Sequence, residues 1–353
     1  MRLGSYPTPV VPLPAAARAG GVSPDVGLWC KRDDLTSPDY GGNKVRKLEH
    51  LLDDAARAGA QRIVSIGALG SHHMLATALY GARAGFEVEG VLTPQPWSPH
   101  VEEVARAQAS VGLRPFPVPS YGAVAIALAR RLVARGKTFL VPPGGSSVSG
   151  SLGYVDAAAE LADQIARGAL PRPRAIVVAL GSGGTAAGLL VGLVRAGLLA
   201  RGAPPIELLA VQVVDPPLAS AMATLALALR TARRLALRID RALLSSMNGA
   251  LRVDRGFLGD GYGHAIAGGD DATAAAREDG LTLDPTYTAK AFAAALALAR
   301  AAPAGSNVLY WHTLAAPGPF EALVAKAPPF ESLPPAVQAL AVGRPVSRDE
   351  NVR

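Results

Sequence analysis

The chain has 353 residues, of which half are hydrophobic and few are aromatic, and its formal net charge is +7. This length suits two domains, and the composition is that of an ordered, soluble α/β protein. The excess arginines are scattered and are not interleaved with aromatic residues, so we predict no nucleic-acid partner. Cys30 is the only cysteine. This excludes a disulfide framework and a CxxC metal or redox motif, and it fits a reducing, cytoplasmic setting.

The N-terminal segment MRLGSYPTPVVPLP contains four prolines and lacks the charged-then-apolar form of a signal peptide. Residues 41–59, GGNKVRKLEHLLDDAARAG, place apolar residues at helical spacing after Asn43, a good N-cap residue. Lys44, in the first turn of this predicted helix, opposes the helix dipole, which disfavours a protonated amine there. Lys44 is therefore either a solvated side chain or a nucleophilic amine suited to Schiff-base formation.

Six short apolar runs farther along the chain are typical of β-strands, and helical patterns such as HVEEVARAQASVG and GYVDAAAELADQIARG lie between them. The predicted strands are RIVSIGA (62–68), EVEGVLT (87–93), TFLVPP (138–143), AIVVAL (175–180), IELLAVQVV (206–214) and NVLYWHT (307–313). This alternation predicts parallel twisted sheets flanked by helices. Residues 215–250 predict one or two helices, and the proline-rich tail from Pro328 onward is expected to pack loosely.

The uncharged run AIVVALGSGGTAAGLLVGLV, residues 175–194, is long enough to span a bilayer. Its centre is a Gly/Ser cluster, however, so we predict a strand, a loop and a helix, and no membrane partner. The cluster comprises Gly181, Ser182, Gly183, Gly184 and Thr185. Such a loop before a helix could be a structural turn or a phosphate cup, in which backbone amides, hydroxyls and the helix N-terminus bind an anion.

Taken together, Lys44 and this cup identify a resemblance to pyridoxal-phosphate enzymes of the tryptophan synthase β-subunit fold type. Within that fold type, the chain is most similar to 1-aminocyclopropane-1-carboxylate deaminases and D-cysteine desulfhydrases. The resemblance rests on segments spread over most of the chain: KRDDLTSPDYGGNKVRKLE (31–49), VSIGALGSHH (64–73), PPGGSSVSGSLGYV (142–155), GSGGTAAG (181–188), LDPTYTAKAF (283–292) and VLYWHT (308–313). It implies a pyridoxal 5'-phosphate cofactor and a small amino-acid substrate.

The resemblance also assigns roles to individual residues. It implies that Lys44 forms the Schiff base with the cofactor, and that Ser182, Gly183, Gly184 and Thr185 hold its phosphate with help from Lys47. Ser71 matches the serine that opens the substrate-carboxylate loop and that takes part in catalysis in the deaminases. Tyr262 and Tyr287 match two active-site tyrosines, although each could equally be a half-buried tyrosine that makes one hydrogen bond.

Two positions favour the desulfhydrases over the deaminases. Thr288 stands where the deaminases have a glutamate beside the pyridine nitrogen of the cofactor, and Thr313 stands where they have leucine. A neutral hydroxyl stabilises negative charge on the cofactor less than a carboxylate does, which is adequate for β-elimination of a good leaving group. The resemblance therefore implies α,β-elimination, most simply conversion of D-cysteine to pyruvate, sulfide and ammonia, with Lys44 as the base that removes the α-proton.

The chain departs from the family directly after Ser71, where it has His72 and His73 in place of Ser-Asn-His or Ser-Asn-Gln. The usual asparagine contacts the phenolic oxygen of the cofactor, and His72 could donate a hydrogen bond there. Both histidines are candidates for binding substrate; His73 could also be a catalytic acid, or it could simply pack at the helix start, which we favour. These changes leave the substrate open among D-cysteine, aminocyclopropane carboxylate, cysteate and diaminopropionate.

Two other functional classes were weighed. A serine hydrolase built on Ser71 and a neighbouring histidine is disfavoured, because adjacent residues at a helix start point in different directions and the sequence has no G-x-S-x-G elbow. A non-catalytic paralogue that binds the cofactor or an amino acid is opposed by the intact Lys44, but the unusual His72 leaves it open. For the architecture, we predict a small domain of residues 47–157 inserted into a large cofactor-binding domain of residues 1–46 and 158–353. The resemblance implies a homodimer.

Overall fold

The computed structural model describes residues 1–133, 136–200, 202, 204, 206–215 and 219–345. The chain divides into two compact units. The first unit comprises Met1–Leu51 and Gly144–Pro319, and the second comprises Leu52–Pro143 and the residues from Phe320 onward. These bounds differ from the predicted 47–157 at both ends of the insertion. Residues 144–157 belong to the first unit because the long helix that begins there packs within it.

All six predicted strand segments are strands. Six further strands were not predicted, because they are short or contain proline, charge or glycine. The strands are β1 (Val10–Pro12), β2 (Gly27–Arg32), β3 (Arg62–Ala68), β4 (Glu87–Thr93), β5 (Gln95–Pro96), β6 (Arg114–Pro117), β7 (Thr138–Val141), β8 (Ala175–Leu180), β9 (Glu207–Gln212), β10 (Leu251–Asp254), β11 (Asn307–His312) and β12 (Ala341–Val342).

The α-helices agree with the helical patterns in the sequence. The segment 215–250 contains two helices among its described residues, α8 and α9. The helices are α1 (Pro14–Ala19), α2 (Asn43–Arg57), α3 (His72–Arg83), α4 (Pro99–Ser110), α5 (Val124–Leu132), α6 (Val148–Ala166), α7 (Gly184–Arg195), α8 (Ala221–Arg234), α9 (Arg241–Ala250), α10 (Gly269–Arg277), α11 (Thr288–Arg300), α12 (Pro317–Ala325) and α13 (Pro335–Gln338).

The first unit is built on a six-stranded sheet in the order β1-β2-β11-β8-β9-β10, parallel except for the edge pair β1–β2. Helices α6, α7, α8 and α9 cover one face, and α1, α10 and α11 cover the other. A central strand buried on both faces reads as an unbroken apolar run, which explains the AIVVAL sequence of β8. The predicted fold class, parallel sheets flanked by helices, is confirmed.

The second unit contains a four-stranded parallel sheet in the order β6-β4-β3-β7 and a two-stranded parallel pair, β5 with β12. The prediction that the tail packs loosely is wrong up to residue 345. Phe330, Leu333, Val337 and Leu340 are buried, and the Leu340 carbonyl accepts a hydrogen bond from the Gln95 amide at 2.9 Å. Prolines of this segment begin short helical turns, and these turns carry the buried apolar residues.

The apolar run 175–194 forms β8, a loop and the greater part of α7, as predicted. Within the described part of the chain, no helix has the combined length and apolarity that crossing a membrane requires.

Candidate active site

Lys44 lies in the first turn of α2, which begins at Asn43 in the first unit. The helix forms here because Val45, Leu48 and Leu51 recur at helical spacing and are buried. Lys44 is partly buried, and its Nζ donates to Asn43 Oδ1 at 2.6 Å. Burial lowers the pKa of Lys44 to about 8, and the charge of Asp284 opposes this only weakly. About a tenth of this amine is therefore unprotonated at pH 7, against less than about a thousandth for an ordinary lysine.

The predicted phosphate cup joins the end of β8 to the start of α7 in the same unit. Gly183 adopts a positive φ of 85°, so a glycine is required there. Ser146 Oγ accepts from the Gly184 amide at 2.9 Å and lies 2.7 Å from Ser182 Oγ. A methyl group added to Gly184 would lie 2.5 Å from Ser146 Oγ. The cup is therefore a close-packed arrangement of backbone and hydroxyls with no room for a side chain at Gly184.

Two contacts connect α2 to this cup. Asn43 donates from Nδ2 to Thr185 Oγ1 at 3.2 Å, so the residue that accepts from Lys44 also contacts the cup. Lys47 is buried, and its Nζ donates to the Gly144 carbonyl at 3.0 Å and lies 3.5 Å from Ser146 Oγ. Burial, and secondly the nearby Lys44, hold the pKa of Lys47 well below its usual range. Both lysines thus approach the cup from the same side of α2.

These groups fit pyridoxal phosphate. Three hydroxyls and the N-terminus of α7 are suited to a phosphate group, and Lys47 supplies an amine that a bound phosphate would keep protonated. Lys44 supplies an amine whose lowered pKa favours attack on a carbonyl. Among the described residues, neither Lys44 nor Lys47 has a carboxylate within ion-pair distance. A bound phosphate would compensate the buried positive charge.

Four other predicted residues lie in the first unit. At the start of α11, the buried Asp284 carboxylate accepts hydrogen bonds from the Thr286, Tyr287 and Thr288 amides and from the Thr288 hydroxyl, the last at 2.6 Å. Tyr287 OH donates to Tyr262 OH at 2.8 Å, so the two predicted tyrosines form a pair. The Thr313 carbonyl accepts from the Asn43 amide at 3.1 Å, which places Thr313 beside the start of α2.

Ser71 lies in the second unit, as the N-cap of α3. Its side chain accepts from the Met74 amide at 3.4 Å. The loop before it is fixed by two glutamines: Gln108 Nε2 donates to the Leu69 and Ser71 carbonyls, both at 3.1 Å, and Gln95 Oε1 accepts from the Gly70 amide at 2.9 Å. A serine at a helix start, on a rigid loop, is well suited to binding a carboxylate.

The two histidines after Ser71 differ in environment. His72 is partly exposed, and its Nε2 lies 2.8 Å from Nε2 of His100. His73 is buried, with Nε2 3.2 Å from Ser65 Oγ and Nδ1 3.5 Å from Thr77 Oγ1. Since Ser65 gives its own proton to the Val141 carbonyl, it accepts from His73. These contacts agree with the interpretation that His73 packs at the start of α3.

Sequence reasoning missed three residues that organise the site in the first unit. Asn43 was considered only as a helix cap, yet it contacts both Lys44 and Thr185. Ser146 was quoted within a motif and given no role. Asp284 had a detectable signal, because an Asp-Pro before Thr-Tyr-Thr is typical of a side chain that caps the following amides.

Comparisons with known proteins agree with this geometry. A family model described as pyridoxal-phosphate dependent enzyme matches residues 1–313. A protein of Pyrococcus abyssi (strain GE5 / Orsay) named "Putative 1-aminocyclopropane-1-carboxylate deaminase" is 32% identical over 331 residues, covering 89% of this chain and 91% of that protein. A D-cysteine desulfhydrase of Salmonella choleraesuis (strain SC-B67) is 32% identical over 303 residues, covering 83% of this chain and 86% of that protein.

Comparison with solved structures supports the same fold. A structure described as "Crystal Structure Analysis of the ACC deaminase homologue" matches with a TM-score of 0.73 and 29% identity, covering 92% of this chain and 95% of that one. An O-acetylserine dependent cystathionine beta-synthase from Helicobacter pylori matches with a TM-score of 0.58 at 18% identity, which supports the fold alone.

Proposed function

Because the chain belongs to the pyridoxal-phosphate-dependent enzyme family, within the group that contains 1-aminocyclopropane-1-carboxylate deaminases and D-cysteine desulfhydrases, we propose that it catalyses α,β-elimination from a small amino acid, D-cysteine first among them. The observation that carries this proposal is Lys44, an amine with a pKa lowered to about 8 beside a hydroxyl-rich cup. We also propose that the protein forms a homodimer. Sedimentation equilibrium of the purified protein would test this by measuring its mass in solution.

Lys44 has two tasks in this proposal. Its amine would hold the cofactor, and the same amine, once free, would act on the substrate. The released amine then accepts the α-proton, a role its lowered pKa favours because the neutral form is available near neutral pH. The cofactor, when bound, supplies an electron sink that makes this proton acidic. Lys47 and the hydroxyls of Ser146, Ser182 and Thr185 hold the phosphate throughout.

The elimination balances without any added oxidant or reductant. The Cα–H bond breaks with its proton passing to Lys44, the Cβ–S bond breaks with its electron pair leaving on sulfur, and a Cα–Cβ double bond forms. Protonation of sulfur gives hydrogen sulfide, and water converts the remaining enamine to pyruvate and ammonia. The paired hydroxyls of Tyr287 and Tyr262 are our candidates for the proton donor to sulfur. Ser71 is our candidate for binding the substrate carboxylate.

Thr288 supports elimination over ring opening. Its hydroxyl donates to Asp284 at 2.6 Å and accepts from the Asp284 amide at 2.7 Å, so it is neutral and fixed. A neutral group suits a substrate with a good leaving group better than it suits a cyclopropane. The deaminase remains the second candidate, because relatives carrying that name match at 31–33% identity.

The test is a substrate panel on the purified holoenzyme and on Lys44→Ala. We expect pyruvate and sulfide from D-cysteine in the wild type, and a decrease of at least about a thousandfold in Lys44→Ala together with loss of the visible absorption band of the lysine-bound cofactor. L-cysteine, cysteate, diaminopropionate and aminocyclopropane carboxylate complete the panel. Release of 2-oxobutanoate from aminocyclopropane carboxylate, with no sulfide from D-cysteine, would replace the proposed activity with the deaminase.

A further inference from the structure

Lys290 is a buried cation that the proposed reaction leaves without a task. It is the third residue of α11, and its side chain is fully buried. A positive charge in the first turn of a helix opposes the helix dipole, so this position is unfavourable unless the ammonium has partners elsewhere. Its partners are main-chain oxygens: Nζ donates to the Leu258 carbonyl at 2.6 Å and to the Gly261 carbonyl at 3.1 Å.

Both carbonyls belong to one loop, residues 255–264, which carries Tyr262. We call this segment the Tyr262 loop. It contains Gly259, Gly261 and Gly263, all with positive φ, so its backbone has unusual freedom and its conformation must be fixed by contacts from outside. Asp215, at the end of the described part of the segment that follows β9, provides one such contact: its Oδ2 accepts from the Tyr262 amide at 3.4 Å.

The charges around Lys290 explain how a buried ammonium is tolerated. Burial is the main influence and lowers the pKa of Lys290, while the carboxylates of Asp215, Asp284 and Asp260 act in the opposite direction. These carboxylates stabilise the positive charge from a distance and leave the direct hydrogen bonds to the backbone of the loop. A direct ion pair would fix a side chain, whereas bonds to carbonyls fix where the main chain runs.

The start of α11 therefore contacts the Tyr262 loop at two points one turn apart. Tyr287, at the helix start, donates its hydroxyl hydrogen bond to the Tyr262 hydroxyl at 2.8 Å, with the two rings edge to face at 5.8 Å between centroids. Lys290, three residues later, holds the carbonyl of the residue directly before Tyr262. We infer that Lys290 is a positioning residue that holds the Tyr262 loop in the conformation in which the Tyr262 and Tyr287 hydroxyls meet.

The structural half of this inference is independent of the substrate, and its catalytic half rests on the proposed function, in which Tyr262 acts on the substrate. Hydrogen exchange of the holoenzyme tests the first half. In Lys290→Met, we expect the amides of residues 255–264 to exchange at least about tenfold faster, since two charge-assisted hydrogen bonds are lost, while the amides of α11 keep their protection. The control, Lys326→Met, replaces the exposed lysine that directly follows α12, and its amide exchange should match that of the wild type.

Wild-type exchange of the Tyr262 loop in Lys290→Met would overturn the inference. So would loss of protection throughout α11, because that would show a general role in helix stability. If Lys290→Met does not fold, Lys290→Gln is used instead, because its polar side chain is one atom shorter and uncharged and cannot replace the two charge-assisted hydrogen bonds: faster exchange confined to the loop supports the inference, and unchanged exchange overturns it.

Turnover of D-cysteine tests the catalytic half through a double-mutant cycle. Lys290→Met and Tyr262→Phe are each expected to lower kcat/KM about tenfold or more, and the double variant should be within about twofold of Tyr262→Phe alone, because both changes remove the same positioned hydroxyl. Independent, multiplying effects would contradict the inference. If wild type fails to turn over D-cysteine, the proposed function fails, and the exchange experiment still decides the role of Lys290.

Discussion

The first unit contains two polar clusters that include residues of α2. They differ in whether their charged side chains have partners of opposite charge. The ion cluster consists of Lys31, Asp33, Arg46 and Glu160, and every charge in it has an opposite partner. The site cluster consists of Lys44, Lys47, Ser146, Ser182 and Thr185, and among the described residues its two lysines have hydroxyl, amide and carbonyl partners only.

The ion cluster is arranged to be complete. The buried Asp33 carboxylate accepts from Arg46 at 2.8 and 3.0 Å and also from the side chains of Thr8, Tyr154 and Trp311. Burial alone would raise the pKa of Asp33, but the charge and hydrogen bonds of Arg46 outweigh it and hold the pKa below its usual range. A carboxylate with all its acceptor positions in use has no capacity left for a ligand.

The site cluster has the features of a ligand-binding site, because its two lysines have no carboxylate partner among the described residues. Desolvating a cation without an opposite charge is costly, and a protein retains such a group when binding or catalysis requires it. The comparison therefore teaches that paired buried charges near α2 hold the helix in place, while its unpaired lysines indicate where an anion binds. Arg46 and Lys47 are neighbours in sequence, yet they serve these two different purposes.

The largest effect is expected on stability, when one charge of the ion cluster is removed. Asp33→Ala should lower the free energy of unfolding by about 3–5 kcal/mol, because it leaves Arg46 buried and without its main partner. Urea denaturation monitored by circular dichroism measures this. Asp53→Ala is the matched control, since it removes a carboxylate from the more exposed pair with Arg57 and should cost less than about 1 kcal/mol. Equal losses in the two variants would remove the distinction between the clusters.

The second effect is on cofactor affinity. Lys47→Met should weaken binding of pyridoxal phosphate about 10- to 100-fold, because a charge-assisted hydrogen bond contributes about 1.5–3 kcal/mol. The stability of the apoprotein should change little, since the lowered pKa of Lys47 disfavours the charged form of this buried amine and it has no carboxylate partner among the described residues. Titration of the apoprotein with the cofactor measures the affinity, and Lys137→Met controls for loss of one exposed positive charge. Unchanged affinity in Lys47→Met would mean that the phosphate binds elsewhere.

The smallest effect is a shift in pH dependence at Lys44. A lysine with a lowered pKa becomes neutral at lower pH, so acetylation of Lys44 in the apoprotein should rise with pH and reach half its maximum near pH 8. An unperturbed lysine amine, with a pKa of about 10.4, serves as the internal standard. Competitive labelling followed by mass spectrometry gives both midpoints. Because the charge of Asp284 raises the pKa of Lys44, Asp284→Asn should move the midpoint to still lower pH. Coincident midpoints for Lys44 and the standard would contradict the assignment.

The sequence predicted the parts of this molecule that depend on local pattern. The six apolar strands and the helix over residues 41–59 follow from periodicity, and the cup at Gly183 follows from glycines placed between a strand and a helix. Lys44 was singled out by its place against the helix dipole alone. The fold type and the cofactor came from the resemblance of these motifs to a known family.

The rest depends on contacts between residues far apart in the chain. Ser146 meets Gly184 across 38 positions, and Lys290 meets Leu258 across 32, and neither pair has a sequence signal. The richness of the tail in proline predicts loose packing, but Phe330 and Val337 are buried. For His73, by contrast, the favoured interpretation of a packed side chain agrees with its contact to Ser65.

Reductive trapping tests the central claim most directly, namely that the unpaired lysines of α2 mark the cofactor site and that Lys44 bonds to it. The holoenzyme is reduced with borohydride, digested, and mapped by mass spectrometry for a phosphopyridoxyl group. We predict the adduct on Lys44, with cleavage after that residue blocked and Lys47 unmodified. An adduct on Lys47 or Lys290 instead, or none on a holoenzyme that had a visible cofactor band before reduction, would contradict this account of the site.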